Sequence, residues 1–172
     1  MGKSGVARAR GGGVERTFFV YRTPLGRVTI ASDGASVTRV AFGPARFEGD
    51  LRATALTNRA SSEVLEYLAG KRRCFDVPLR LEGTAFQRAV WDEAARIPYG
   101  QTRTYEEVAR SLGNPQALHA VGSACIHNPA PILVPCHRVV GAGGRVGSYV
   151  ADPSIKRFLI ELEANAFGVG TV

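Results

Sequence analysis

Two helix-start signatures, Thr84–Gln87 and Thr104–Glu107, fix the layout of the second half of this chain. In each, the threonine hydroxyl caps a backbone N–H three residues on, and the glutamine or glutamate reaches back to the threonine's own N–H. Behind the first, Phe86, Ala89, Val90, Ala94 and Ile97 share one helical face, and Pro98 and Gly100 end the run. Behind the second, Tyr105, Val108, Ala109 and Leu112 do the same, and Gly113 stops it. Asn114 then stands as an N-cap with Pro115 in the first turn of a third helix, whose core side is Leu118, Val121 and Cys125. Two short helices joined through Gly113–Asn114 form a helix-turn-helix, whose second helix commonly meets nucleic acid. An αα-hairpin in any α/β domain has the same spacing. The outer face of the second helix is small and polar: Gln116, His119, Gly122 and Ser123, with Ala117, Ala120 and Ala124 close by. Such a face lets a partner's backbone come close. No Lys or Arg lies between Asn114 and His137, so attraction to phosphates has to come from elsewhere.

The first half has a different rhythm. From Thr17 to Phe42, the β-formers Phe19, Tyr21, Val28, Ile30, Val37 and Val40 are punctuated by the turn signals "TPLG" and "SDGA", which predicts a small antiparallel meander. "SSEVLEYLAGKR" follows as a helix capped by Ser61 or Ser62, with Val64, Leu65 and Leu68 as its stripe and Gly70 as its stop. "FDVPLRLEG" is extended and links the halves, with the boundary near Leu81–Gly83. The division expected is a flexible basic tail at 1–14, a strand-rich domain at 15–80 and a second domain at 84–166.

The net charge of +7 favours polyanionic partners, but it sits in the first half: 14 Lys/Arg against 7 Asp/Glu in residues 1–80, and eight of each in 81–172. No apolar run approaches the roughly 20 residues that span a bilayer, and the N-terminus lacks the apolar stretch of a secretory signal. Cys74, Cys125 and Cys136 are an odd set without a C-x-x-C pair, which argues against a disulfide framework or a cysteine-rich zinc site. A reducing, cytoplasmic setting fits best. For Cys74 and Cys125 the default is a small buried hydrophobe.

Cys136 is different. "PILVPCHRVV" starts as a buried strand and is broken by Pro135, which cannot donate to a sheet ladder, so the chain there is an edge, bulge or turn. A thiol becomes a nucleophile through a neighbouring base or positive charge, and His137 and Arg138 supply one of each. In a regular strand Cys136 and His137 would point to opposite faces. The pair works together only if the backbone turns or a water bridges them.

"TYEEVARSLG", "NPQALHAVGSA", "NPAPIL" and "VPCHRVV" together resemble the O6-alkylguanine-DNA alkyltransferases, which repair alkylated guanine. The likeness covers about Thr84–Glu163 closely, and 15–80 only as a strand-rich half. The resemblance implies an α+β fold of two small halves: an N-terminal antiparallel sheet with a helix, and a C-terminal helical, winged-helix-like half containing the helix-turn-helix. It implies that Cys136 takes the alkyl group as a thioether, once per molecule, after the nucleotide is flipped out of the duplex. His137 accepts the thiol proton through water, Glu163 orients that histidine, and Tyr105 protonates the departing base. Tyr149 and Arg138 fall at the base pocket, Asn128 is a hinge, and Asn114, Ala117, His119, Gly122 and Ser123 meet DNA. The implied partner is double-stranded DNA carrying O6-alkylguanine, bound by a monomer without cofactor or metal. Three departures stand out. His119 occupies the place of an arginine that enters the duplex, which predicts weaker DNA binding or less efficient flipping. Val150–Pro153 reshapes a wall that is Gly- or Ser-rich in many relatives. Residues 1–80 hold no histidine, against the zinc site of some members. The other readings are a lesion-binding relative without transfer, a Cys-His thiol hydrolase and a helix-turn-helix regulator.

Overall fold

The computed structural model describes residues 14–166; the expected tail at 1–14 thus lies outside the described residues except for Val14. Strands β1 (Thr17–Thr23), β2 (Gly26–Ser32) and β3 (Val37–Phe42) form the predicted meander, and β4 (Asp50–Leu51) adds a short parallel edge to β1, giving the order β3-β2-β1-β4. Both turn signals work through side chains. Thr23 Oγ1 accepts from the Leu25 amide and donates to the Gly26 carbonyl, and Gly26 has φ +93°. Asp33 Oδ1 accepts from the Ala35 and Ser36 amides. "FDVPLRLEG" is extended as expected, and it is used: the Val37 amide donates to Pro78 O at 2.8 Å, and the Arg80 amide to Val37 O at 3.0 Å, continuing the sheet past β3.

Helix α1 (Ala55–Leu68) is capped by Thr54, well before the predicted cap at Ser61 or Ser62. Thr54 and Thr57 make a reciprocal box in which a threonine hydroxyl does the work usually given to Glu or Gln, so the familiar pattern is missing from the sequence. Ser61 is a buried residue inside the helix, and Leu65, placed on the core stripe, is exposed; Tyr67 takes its place inside. Gly70, with φ +73°, ends the helix as expected.

The second half holds α2 (Ala85–Arg96), α3 (Tyr105–Ser111), α4 (Leu118–Ile126) and α5 (Pro153–Asn165). Both capping boxes form, at Thr84–Gln87 and Thr104–Glu107. The start of the third helix differs from expectation. Residues Pro115–Ala117 form a 3₁₀ turn, α4 opens one residue later at Leu118, and the Asn114 side chain caps nothing. Leu118 is consequently exposed, while Ala124, expected near the outer face, is buried and its carbonyl accepts from Trp91 Nε1 at 2.9 Å. Cys125 is buried as expected, but Cys74 is exposed, because the segment after Gly70 runs across the surface.

One apolar core runs through both halves, from Val28, Ile30 and Val64 to Val90, Val121, Ile132 and Leu159. Among the described residues, no helix is long and apolar enough to cross a membrane. A last pairing positions the chemistry: β5 (Arg103–Thr104) lies parallel to β6 (Val139–Val140). Because β5 leads directly into Tyr105 and β6 leads directly out of Arg138, this short ladder brings the start of α3 beside the Pro-Cys-His-Arg segment.

Candidate active site

The chain approaches Cys136 through a tight turn. The Val134 amide donates to Ala130 O at 2.9 Å, and Ile132 within it has φ +74°, the only non-glycine residue with positive φ among those described. A β-branched residue there stores of order 1–3 kcal/mol of strain, which the surrounding packing has to hold. Asn128 does part of that holding. Its Nδ2 donates to Val134 O at 2.9 Å and its Oδ1 accepts from the Ala130 amide, tying the end of α4 to this turn, which stands where the sequence suggested a buried strand. Cys136–Arg138 then forms a 3₁₀ turn. The backbone thus turns at Cys136 and His137, one of the two arrangements through which the pair can cooperate.

Cys136 and His137 are both 0% exposed. The thiol sits among Cys125, Asn128 and Lys156. The hydrogen-bonded Cys125 thiol and burial push it well above the ordinary cysteine range, while the Lys156 charge and Asn128 pull the other way. At rest it is therefore a protonated thiol. Lys156 is itself fully buried: Nζ donates to Tyr105 Oη at 3.2 Å and to Ser148 O at 3.1 Å, and lies 5.4 Å from the centre of the Tyr105 ring. Burial lowers its ammonium to about 8. The Tyr105 phenol is raised by burial and by both cysteines. Gly147, at φ +70°, passes so close that a Cβ there would come within 2.7 Å of Tyr105 Oη. Only glycine suits that crossing.

Behind His137 lies an ionic cluster. His137 Nε2 is 2.7 Å from Glu163 Oε1. Arg138 donates through Nε to Glu163 Oε2 at 2.9 Å and through Nη2 to Oε1 at 2.9 Å, and its Nη1 donates to Ile97 O. The Gly100 amide donates to Oε2 and the Tyr67 hydroxyl to Oε1. Burial alone would raise the Glu163 carboxyl; hydrogen bonds from His137 and Arg138 outweigh it and hold the group at about 2. His137 is lowered by burial, against the pull of Glu163, so the imidazole is neutral near pH 7. Its Nδ1 is buried without a hydrogen-bond partner. The Tyr149 hydroxyl is too: the Ile132 amide approaches it without completing a bond of ordinary geometry. Burial and the two cysteines raise the Tyr149 phenol well above its usual value.

The structure thus gathers Cys136, His137, Glu163, Tyr105, Asn128 and Tyr149 at one centre. Arg138, expected beside the thiol and at the base pocket, is instead committed to Glu163, with its guanidinium 5.7 Å over the Tyr99 ring; the cation that the thiol feels is Lys156. Asn114, Ala117, His119 and Ser123 lie along α4 and the turn before it, with Asn114, His119 and Ser123 exposed; Gly122 instead backs onto the centre, where a Cβ would stand 3.8 Å from the Tyr105 ring. Among the described residues no group of three or more His, Cys, Asp or Glu is arranged to hold a metal ion. Sequence reasoning missed Tyr67, Lys156 and the closeness of Cys125. For Lys156 a signal existed: with Leu159 and Glu163 it forms the buried stripe of α5 at spacings of three and four, and a lysine on such a stripe is out of place unless the site uses it.

Residues 18–81 match the family model described as 6-O-methylguanine DNA methyltransferase, ribonuclease-like domain, and residues 85–165 match the DNA binding domain of the same family. The chain is 39% identical over 153 residues to the methylated-DNA–protein-cysteine methyltransferase of Methanosarcina acetivorans, covering 86% of this chain and 98% of that one. It is 42% identical over 151 residues to the protein of that name from Mycobacterium tuberculosis, covering 83% and 91%. A crystal structure of Mycobacterium tuberculosis OGT in complex with DNA superposes with a TM-score of 0.81 at 38% identity, covering 87% of this chain and 94% of that one.

Proposed function

Because this chain belongs to the 6-O-methylguanine DNA methyltransferase family, we propose that it repairs double-stranded DNA by moving the alkyl group of O6-alkylguanine onto its own Cys136. The observation that carries the reading is a buried thiol with Tyr149 near it, followed in the chain by His137, in which Tyr149 Oη and His137 Nδ1 are both buried and unspent. Unpartnered polar atoms are rare in native interiors and call for an explanation. Here one serves as the base for the thiol and the other as a contact for an incoming nucleobase.

The Cys136 thiol proton passes through water to His137 Nδ1, and the sulfur attacks the alkyl carbon in line. The carbon–O6 bond breaks, its electron pair stays on guanine, and the Tyr105 hydroxyl protonates the departing base. Lys156, 3.2 Å from Tyr105 Oη, stabilises the phenolate left behind. A thioether offers no hydrolytic exit, so each molecule acts once. Guanine O6 is out of reach in a duplex, so the nucleotide has to leave the stack. With Cys136 fully enclosed, the packing around it also has to open to admit the base. The cytoplasm is the setting in which Cys136 stays reduced. In this reading 15–80 and 84–166 are the two working halves, and α4 enters the duplex groove with Asn114, Ala117, His119, Gly122 and Ser123 towards DNA.

The test is direct. Mixed with an oligonucleotide duplex carrying O6-methylguanine, the protein gains the mass of one methyl group and no more, and peptide mapping finds it on Cys136. Binding without a mass change would instead support the lesion-binding reading, and multiple turnover a thiol hydrolase.

His119 gives a second prediction. It is exposed on α4, at the position where the resemblance implies an arginine that enters the duplex, and its imidazole is shorter than a guanidinium and lacks the forked set of donors. His119→Arg adds a forked, permanently charged donor on a helix whose DNA-facing side holds no cation. We expect several-fold tighter binding, and a salt dependence steeper by about one unit in the log–log slope. Equal affinity and equal slope for both proteins would remove His119 from the interface.

A further inference from the structure

Tyr67 lies on α1, far in sequence from the transfer chemistry, yet its hydroxyl ends inside the acid–base cluster. It is 0% exposed, donates to Glu163 Oε1 at 2.6 Å and lies 3.1 Å from His137 Nε2. These partners are 96 and 70 residues away along the chain. Phe75 packs 5.3 Å from its ring centre and Tyr99 meets it edge-on at 6.1 Å, so the phenol has little freedom to turn.

We propose that Tyr67 is a positioning residue for alkyl transfer: together with Glu163 it holds the proton of His137 on Nε2, it tempers the carboxylate so that Nδ1 stays free as the base, and so it makes the N-terminal half part of the catalytic apparatus. The proposal rests on the transfer reading above. Its logic is a proton count. Glu163 is ionised and only accepts. Its Oε1 takes the Tyr67 proton, which leaves the Tyr67 oxygen able only to accept from its other neighbour. His137 Nε2 therefore faces two acceptors, Glu163 Oε1 and Tyr67 Oη, and must carry the hydrogen. In the neutral ring the lone pair then falls on Nδ1, the nitrogen without a partner.

Tyr67 also tempers the carboxylate. Without its hydrogen bond, more of the Glu163 charge falls on His137 and favours the imidazolium, which cannot act as a base. The groups facing the ring are Tyr67 on α1, Glu163 and Lys156 on α5, and Arg138 beside it, with Tyr99 under the Arg138 guanidinium. Arg138 and Lys156 both oppose protonation, and neither changes when Tyr67 is replaced.

The experiment compares the full chain with Tyr67→Phe, which keeps the ring and removes the hydroxyl. In single-turnover methyl transfer from an O6-methylguanine duplex, the variant is expected to be about ten-fold slower at neutral pH, a fraction of the 10²–10⁴ that a general base typically contributes. The acid limb of its pH–rate profile moves to higher pH, and its affinity for the duplex stays the same. In parallel, nitrogen chemical shifts of the His137 ring, recorded without DNA, should report the Nε2–H form in the parent and a higher imidazolium midpoint in the variant. A loss of thermal stability with an unmoved acid limb and unmoved ring midpoint would make Tyr67 a packing residue and overturn the proposal. Failure of the unsubstituted chain to take up methyl would sink the transfer reading, and with it the positioning role. The ring shifts would still report whether Tyr67 sets the tautomer.

Discussion

Cys136→Ala is expected to take up no methyl from O6-methylguanine DNA while still binding the duplex. The sulfur is the only atom in the centre that combines nucleophilicity with an available base. The sharp alternative is Cys125, whose thiol is hydrogen-bonded to that of Cys136 and also lies near Lys156. It sits on α4 without a histidine beside it, so it lacks the proton acceptor that the reaction needs. Intact mass and peptide mapping decide the matter. Zero uptake in the variant, with lesion binding preserved in a gel-shift or anisotropy titration, is the expected outcome; a full methyl on Cys125 would show that the site uses either sulfur. Removing one buried sulfur leaves a small void costing about 1 kcal/mol, too little to unfold the chain.

Glu163→Gln has the second large effect, and it falls on stability and chemistry together. The carboxylate accepts from Tyr67, His137, Arg138 and the Gly100 amide, and Arg138 is itself buried, only 7% exposed. Removing the negative partner strands a buried cation, a change that typically costs about 3–5 kcal/mol. The expected result is a thermal midpoint lower by many degrees and transfer slowed well beyond the Tyr67→Phe effect. The pH dependence separates this from a generic packing loss. The Glu163 carboxyl is held at about 2 against an ordinary 4.5, so the unfolded chain binds the extra proton. The parent's stability therefore rises with pH across that window and is lost as pH falls from about 4.5 towards 2. The variant has no such group, and its unfolding free energy loses that part of the slope. Parallel slopes in parent and variant, measured by denaturant unfolding at a series of pH values, would contradict the assignment.

Much of this was legible in the sequence, for identifiable reasons. The Thr84 and Thr104 boxes are local devices, written within four residues, and both formed as expected. Cys136, His137, Asn128 and Tyr105 belong to short stretches whose residues act close to where they stand in the chain. The start of α1 was missed because Thr57 caps with a hydroxyl where the familiar signature asks for a carboxylate or amide. Asn114 was misjudged because a 3₁₀ turn intervened between it and α4, which no propensity distinguishes from a first helical turn. Arg138 could be placed near the thiol but not aimed, since its direction depends on Glu163 and the Ile97 carbonyl across the core. Tyr67 had no local signal at all. Its role arises from a hydroxyl brought in by α1 packing, and only the assembled fold supplies its two partners.

The complete enclosure of the Cys136 sulfur bears on the molecule after it has acted. The added methyl has to occupy space already filled by neighbours, and overfilling a tight interior costs about 1–3 kcal/mol out of a typical total of 5–15 kcal/mol. A used copy is thus a weaker folded object than a fresh one, and the scar of a single repair event can be told from the protein's resistance to melting.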